Sequence, residues 1–208
     1  MPMSDAWKLC KRSAQTLLRA LLLLLSFGIG LAHAENPVQL EELVLQRSDE
    51  GIYLSTRLGF ELPQSLEDAL SRGLPLGFVM QADVMRERWY WSDKLVSRTE
   101  RFVRLSFQPL SKRWRVYVSA QPIQSTGLGV SLGQSFENLS EALQSIQRIS
   151  RWRIADTSVV DIASKQRLEF RFKLDLSQLP QPLQFGILGG GSGLEYAQSL
   201  RLQEDSFK

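Results

Sequence analysis

The stretch Arg167-Leu168-Glu169-Phe170-Arg171-Phe172-Lys173-Leu174-Asp175 decides the fold class. Its even-numbered side chains are apolar and its odd-numbered ones are charged. Successive side chains of a strand point to opposite faces, so this pattern predicts a strand with one face buried and the other in water. Leu176 continues the apolar row. Just upstream, Ser164-Lys165-Gln166 reads as the turn of a hairpin whose second arm is this strand.

The same alternation recurs on either side. Leu43 and Leu45 oppose Val44 and Gln46, and Ser48-Asp49-Glu50-Gly51 turns the chain. Ile52, Leu54, Thr56, Leu58 and Phe60 then alternate with Tyr53, Ser55 and Arg57. Residues 78–91 read as a long strand, Ser92-Asp93-Lys94 as a turn, and residues 95–107 as the returning strand. Ser111-Lys112-Arg113 leads into a strand over 114–120. Residues 121–134 read as a loop and 196–202 as a last strand. Two short helices interrupt this series. Ser65-Leu66-Glu67-Asp68 has the form of an N-cap, with Leu66, Ala69 and Leu70 at helical spacing until Gly73 and Pro75. Asn138-Leu139-Ser140-Glu141 has the form of a capping box, with Leu139, Ala142, Leu143, Ile146 and Ile149 on one face. Strands joined by short turns pair antiparallel, and clean alternation wets one face of each sheet. The expected fold is therefore mainly β: a β-sandwich of antiparallel sheets with two short helices over its open ends. The alternative is an α+β open antiparallel sheet with both helices on one face.

The N-terminal residues read as an export signal. Lys8, Lys11, Arg12 and Arg19 precede an uncharged, Leu-rich run from Ala20 to Leu31, and Ala32-His33-Ala34 offers small residues for cleavage before Glu35. An uncleaved inner-membrane anchor is the alternative, but the uncharged run of 15 residues from Ala20 to Ala34 falls short of the roughly 20 a span requires. Cys10 lies upstream of the apolar run, out of place for lipid attachment, and Lys11-Arg12 is not a twin arginine. Residues 1–34 are thus expected to be a cleavable signal and 35–208 a single β-rich domain in the periplasm. Cleavage removes the only cysteine, Cys10, and the only histidine, His33. Of the 25 basic and 22 acidic residues, 21 of each remain, so the domain is neutral.

That composition narrows the chemistry. Gly129-Val130-Ser131-Leu132-Gly133 matches the pattern around a nucleophilic serine, but no histidine remains to take the proton, and no S-x-x-K offers a lysine instead. Gly189-Gly190-Gly191-Ser192-Gly193 precedes an expected strand rather than a helix, so it is a surface loop and not a phosphate cradle. Zinc and copper favour His and Cys, and no calcium-loop pattern occurs, so neither a metal nor another cofactor is expected. Asp83 with Glu87, or Asp156 with Asp161, are the acid pairs a carboxylate-dependent hydrolase could use.

The most distinctive segment runs from Arg86 to Arg115. It carries nine basic residues against three acids, a local charge of +6, interleaved with Trp89, Tyr90, Trp91, Phe102, Phe107 and Trp114, with Tyr117 just beyond. Outside the cytoplasm nucleic acid is not the expected partner. Acidic protein, polysaccharide or lipid surfaces are. Arg86, Arg88, Trp89, Trp91, Arg98, Arg101, Arg104, Arg113 and Arg115 form the candidate interaction surface, because arginine and tryptophan are enriched at interfaces. The structural account of the same residues is a meander with arginines outside and aromatics inside.

Leu66-Glu67-Asp68-Ala69-Leu70 with Gly73-Leu74-Pro75-Leu76, then Trp89-Tyr90-Trp91, the helix from Leu139 to Arg148, and Phe172-Lys173-Leu174-Asp175 with Leu179-Pro180-Gln181-Pro182-Leu183-Gln184 resemble the exported proteobacterial family known as domain of unknown function 4390. The resemblance spans the expected domain, and its motifs are structural. It implies genes lying near those of NtrY-like membrane sensor kinases, hence a membrane or envelope protein partner, and it carries over no catalytic residue. The expected function is a non-catalytic periplasmic binding or accessory module, possible partners including such a sensor and an anionic envelope surface. A carboxylate-dependent envelope hydrolase and a hydrophobic-ligand carrier with a cavity between its sheets are the alternatives.

Overall fold

Alternation of apolar and polar side chains produces strands with one buried face, and two such faces laid together make this protein. The computed structural model describes residues 38–90, 92–123, 132–161, 164–179 and 194–207. The export signal, Trp91, Ser131 with Gly129, and the glycine loop 189–193 lie outside the described residues. In chain order the elements are β1 (Val38–Ser48), β2 (Gly51–Phe60), α1 (Gln64–Ser71), β3 (Leu76–Arg86), β4 (Lys94–Gln108) and β5 (Arg113–Ser119). They continue with β6 (Leu132–Phe136), α2 (Leu139–Gln147), β7 (Arg148–Ala155), β8 (Gln166–Asp175) and β9 (Glu195–Arg201). The small sheet has the order β1-β2-β7 and the large one β6-β5-β4-β3-β8-β9, with every pair antiparallel.

The sandwich is the expected fold class, and both helices serve as its crossovers. Chain from β2 passes through α1 into the large sheet, and chain from β6 passes through α2 into the small one. Leu66, Ala69 and Leu70 of α1 are buried, as their spacing requires. The helix starts two residues earlier than an N-cap at Ser65 implies: Pro63 takes the cap position, and its carbonyl accepts from Leu66 and Glu67. It ends in a Schellman turn: Gly73 donates to Leu70, Leu74 donates to Ala69, and Gly73 takes φ +86°, where a side chain is strained. Asn138 does cap α2, but its amide donates to the Glu141 carboxylate at 3.3 Å instead of its oxygen accepting from the backbone.

Four expectations need correction. Ser164-Lys165-Gln166 is not a hairpin turn: β7 pairs with β2 in the small sheet while β8 pairs with β3 and β9 in the large one. Ile149 belongs to β7, since the backbone is already extended at Arg148 (φ −95°, ψ 112°). Strand β3 stops at Arg86, opposite Lys94, and the next backbone N–H, that of Glu87, turns to the Lys165 carbonyl. Residues 132–134, read as the end of the 121–134 loop, instead belong with Ser135 and Phe136 to the edge strand β6, which pairs with β5.

One apolar layer joins the sheets. Phe60 of the small sheet lies 5.8 Å from Phe78 and 5.2 Å from Phe172 of the large one, and those two stack at 5.9 Å. Leu45, Ile52, Leu54 and Leu58 face Met80, Ala82, Leu105, Val116, Leu168 and Phe170 in the same core. Bulges keep the apolar residues on the inner side. Glu41 is an extra residue in β1, so Val38 and Leu40 share a face with Leu43 and Leu45 despite the change of parity. Ile154 is likewise extra in β7, and its carbonyl accepts from Ser97 Oγ at 3.0 Å and Thr99 Oγ1 at 2.9 Å across the sandwich. Ladder geometry at β7 is further disturbed at Arg151, whose φ is +44°.

Phe172 is fully buried at the junction of the sheets. Replacing it by alanine is expected to cost about 3–5 kcal/mol, read as a lowered urea midpoint with far-UV circular dichroism. A midpoint unchanged from wild type contradicts the interlocked layer.

Candidate functional site

Strand parity distributes the basic and aromatic residues over three places. The first is the loop joining β3 to β4. Arg88 N donates to Asp93 Oδ1 at 3.3 Å, and the Asp93 carboxylate is held in turn by Arg167 of β8. Glu87 faces Arg201 of β9 at 3.9 Å. The loop is thus tied down at its base while its tip projects. Trp89 is 94% exposed and Tyr90 64%, their rings meeting edge to face at 5.1 Å. Burying a large apolar side chain yields roughly 1.5–3 kcal/mol, which these two rings forgo in the free chain. Arg86 stands at the foot of this loop with its Nε buried and unpartnered among the described residues, and Arg88 is exposed beside the rings.

The second place is the outer face of the large sheet. The antiparallel register sets Asp83 beside Arg98 on β4 and Glu169 on β8. Asp83 is 1% exposed although it faces outward, because neighbouring side chains close over it. Arg98 grips it as a fork, Nε to Oδ1 at 2.8 Å and Nη2 to Oδ2 at 2.9 Å. Gln81 donates to Oδ2 at 2.7 Å, and Arg171 reaches the same oxygen at 3.4 Å. Arg171 also donates to Glu169 at 2.6 Å, Glu169 accepts from Arg167 at 2.8 Å, and Arg167 ends the ladder on Asp93. The row Arg98, Asp83, Arg171, Glu169, Arg167, Asp93 alternates in sign and cancels in charge. Burial raises the Asp83 pKa, but the hydrogen bonds from Arg98 and Gln81 and the charges of Arg98 and Arg171 outweigh it, leaving the carboxyl below its ordinary range. Hydrogen bonding to Arg167 lowers Asp93 too. A general acid needs the opposite displacement.

Further along this face, Arg104 Nη2 donates to the Ile123 carbonyl at 3.1 Å and Arg115 Nη1 to Tyr117 at 3.1 Å. Arg113 pairs with Glu137 at 3.3 Å. The third place is the interior. Arg101 shares its strand parity with the buried Val103 and Leu105 and faces the small sheet; burial there lowers its pKa.

The nine residues singled out in the sequence therefore do not share one surface. Arg86, Arg88 and Trp89 gather at the loop, Arg98, Arg104, Arg113 and Arg115 lie on the outer face, Arg101 points inward, and Trp91 lies outside the described residues. The two-residue period from Arg101 to Val103 and Leu105 was the available signal for its inward turn. Tyr90 and the ladder formed with Arg167, Glu169 and Arg171 emerge only once β3, β4 and β8 are in register. Of the acids weighed for hydrolysis, Asp83 and Glu87 face arginines as described and Asp156 is bonded by Arg153. Among the described residues no helix is long and apolar enough to cross a membrane.

The model of the family described as "Domain of unknown function (DUF4390)" matches residues 35–192. No curated protein and no solved structure matches the chain.

Asp83→Asn removes the charge on which Arg98 and Arg171 converge. A loss of about 1–3 kcal/mol is expected at pH 7, less than for a fully buried pair because both arginines stay half in water. Asp83 holds a proton less readily folded than unfolded. Its contribution is therefore complete above the unfolded carboxylate range, about pH 4, and is lost as the pH falls through its lowered folded value. Urea midpoints of wild type and variant should differ at pH 7 and approach each other toward pH 2; a constant gap contradicts the assignment.

Proposed function

We propose that this chain, which belongs to the DUF4390 family, is an exported, non-catalytic binding or accessory module that holds an envelope protein against its β3–β4 loop. The exposure of Trp89, with Tyr90 beside it, carries this reading. Aromatic rings held in water on an anchored loop supply large contact area at small entropic cost when a partner covers them. Arg88 precedes the rings and Lys94 opens β4 at the loop's other end, both exposed, so an acidic, partly apolar surface complements the loop. A groove of about 230 Å³ between Glu87, Lys165, Gln166 and Arg201 adjoins the base of the same loop. The external segment of a membrane sensor kinase is the first partner to test, on the gene neighbourhood that the family resemblance implies.

The test is a native capture from envelope fractions with the tagged, exported chain, preceded by N-terminal sequencing, which is expected to begin at Glu35. Wild type should retain a specific envelope protein. W89A/Y90A should lose roughly thirtyfold or more in affinity while its unfolding midpoint stays within about 0.5 kcal/mol of wild type. Capture that survives the double substitution rules out the loop as the contact. Retention by anionic vesicles alone, with no protein captured, replaces the protein partner with a peripheral membrane contact.

A further inference from the structure

We infer that the cavity beneath α2 binds a small anionic amphiphile, with Arg101 holding its head group. The cavity measures about 190 Å³ and opens between the inner face of β4, β5 and β6 and the junction of α2 with β7. Its floor is apolar: Met80, Val103, Val116, Ile146 and Ile149 line it, and all five are buried. Arg101 stands among them, and Gln134, Arg148 and Ser150 form an exposed, polar rim.

Arg101 differs from the arginines of the outer face in one respect. Each of those has an acceptor or a carboxylate, whereas Arg101 has no hydrogen-bond or ion-pair partner among the described residues. No carboxylate lines the cavity among those residues, and Arg148 adds a second positive charge. Arg101 is half-buried, and a cation partly stripped of water with no counter-charge beside it is stabilised when an anion arrives. Guanidinium pairs in a fork with carboxylate or phosphate, so the head is a carboxylate or a phosphate monoester. The apolar floor demands a hydrocarbon body. A space of roughly six water volumes takes a short chain, not a full-length lipid tail. This site is separate from the β3–β4 loop and is independent of the function proposed for it.

The exported domain is titrated calorimetrically with octanoate, octyl phosphate and octanol, each below its micelle threshold. The expected result is binding of at least one anion and at least tenfold weaker binding of the neutral alcohol; the better of the two anions identifies the head group. R101M should weaken anion binding at least tenfold, R101K less, and R104M, on the opposite face, not at all. R101M should leave the melting temperature of the free domain unchanged or raise it by up to about 4 °C, whereas a purely structural arginine lowers it. Methyl NMR of the wild-type domain gives a readout that needs no variant: shifts induced by the anion should concentrate on Val103, Val116 and Ile146. The inference is overturned if octanol binds as tightly as both anions, if neither anion binds at millimolar concentration, if R101M binds like wild type, or if the shifts fall elsewhere.

Discussion

The contact of Phe60 with Phe78 and Phe172 is the interaction on which the other elements depend. It is the point where the two sheets touch through their largest side chains. The sole cysteine is Cys10, so no disulfide joins β2 to β3 or β8. Packing and a few directed hydrogen bonds must do that work. The bonds from Ser97 and Thr99 to the bulged carbonyl of Ile154 fix the mutual position of β4 and β7. The crossover helices contribute Leu66, Leu70 and Ile146 to the same layer. A sandwich closed in this way leaves an inner space wherever the opposed side chains do not meet, and the cavity around Arg101 is such a place.

Much of this architecture is legible in the sequence because it rests on parity. Strand β8 shows one face to the core and one to water along its whole length, and β1 with β2 announces its hairpin by alternation on both sides of a polar turn. Sheet membership is less visible. Arg148–Ala155 and Gln166–Asp175 follow each other closely, yet which neighbour each pairs with is decided by the apolar layer and not by the intervening residues. Strand β6 escapes notice for a different reason: it is an edge strand with four of its five residues exposed, so it has no buried face to mark it. Ile149 lies three residues after Ile146, a spacing that suits a helix, and only the backbone at Arg148 shows that the helix has ended.

The candidate site is legible in part. The abundance of arginine and aromatic residues between 86 and 115 is plain in the sequence, but Trp89 and Tyr90 read there as the end of a strand, and only the stop of β3 at Arg86 places them in a loop. Counting in twos from Val103 separates Arg101 from Arg98 and Arg104. What parity cannot supply is register. Asp83 meets Arg98 and Arg171 because three strands are aligned by the whole large sheet, and no local pattern around Asp83 names either partner. Of the arginines singled out between 86 and 115, Arg98 joins the neutral ladder while Arg104, Arg113 and Arg115 turn to Ile123, Glu137 and Tyr117, leaving two exceptional places: a projecting aromatic loop and an inward cation.

The bulges have a consequence for how this molecule meets others. An open sheet edge invites a further strand, and each of the four edges formed by the described residues is guarded differently. β1 is kinked at Glu41 and carries Glu41, Glu42 and Arg47. β7 is bulged more than once, bears Arg148, Arg151 and Arg153, and twists through a left-handed arginine. β6 has five residues, and β9 has seven with a charge at each end. Main-chain addition, the least selective way for one β-protein to capture another, is discouraged at each of these described edges. Recognition is left to side chains, which is the condition for choosing a partner by its chemistry.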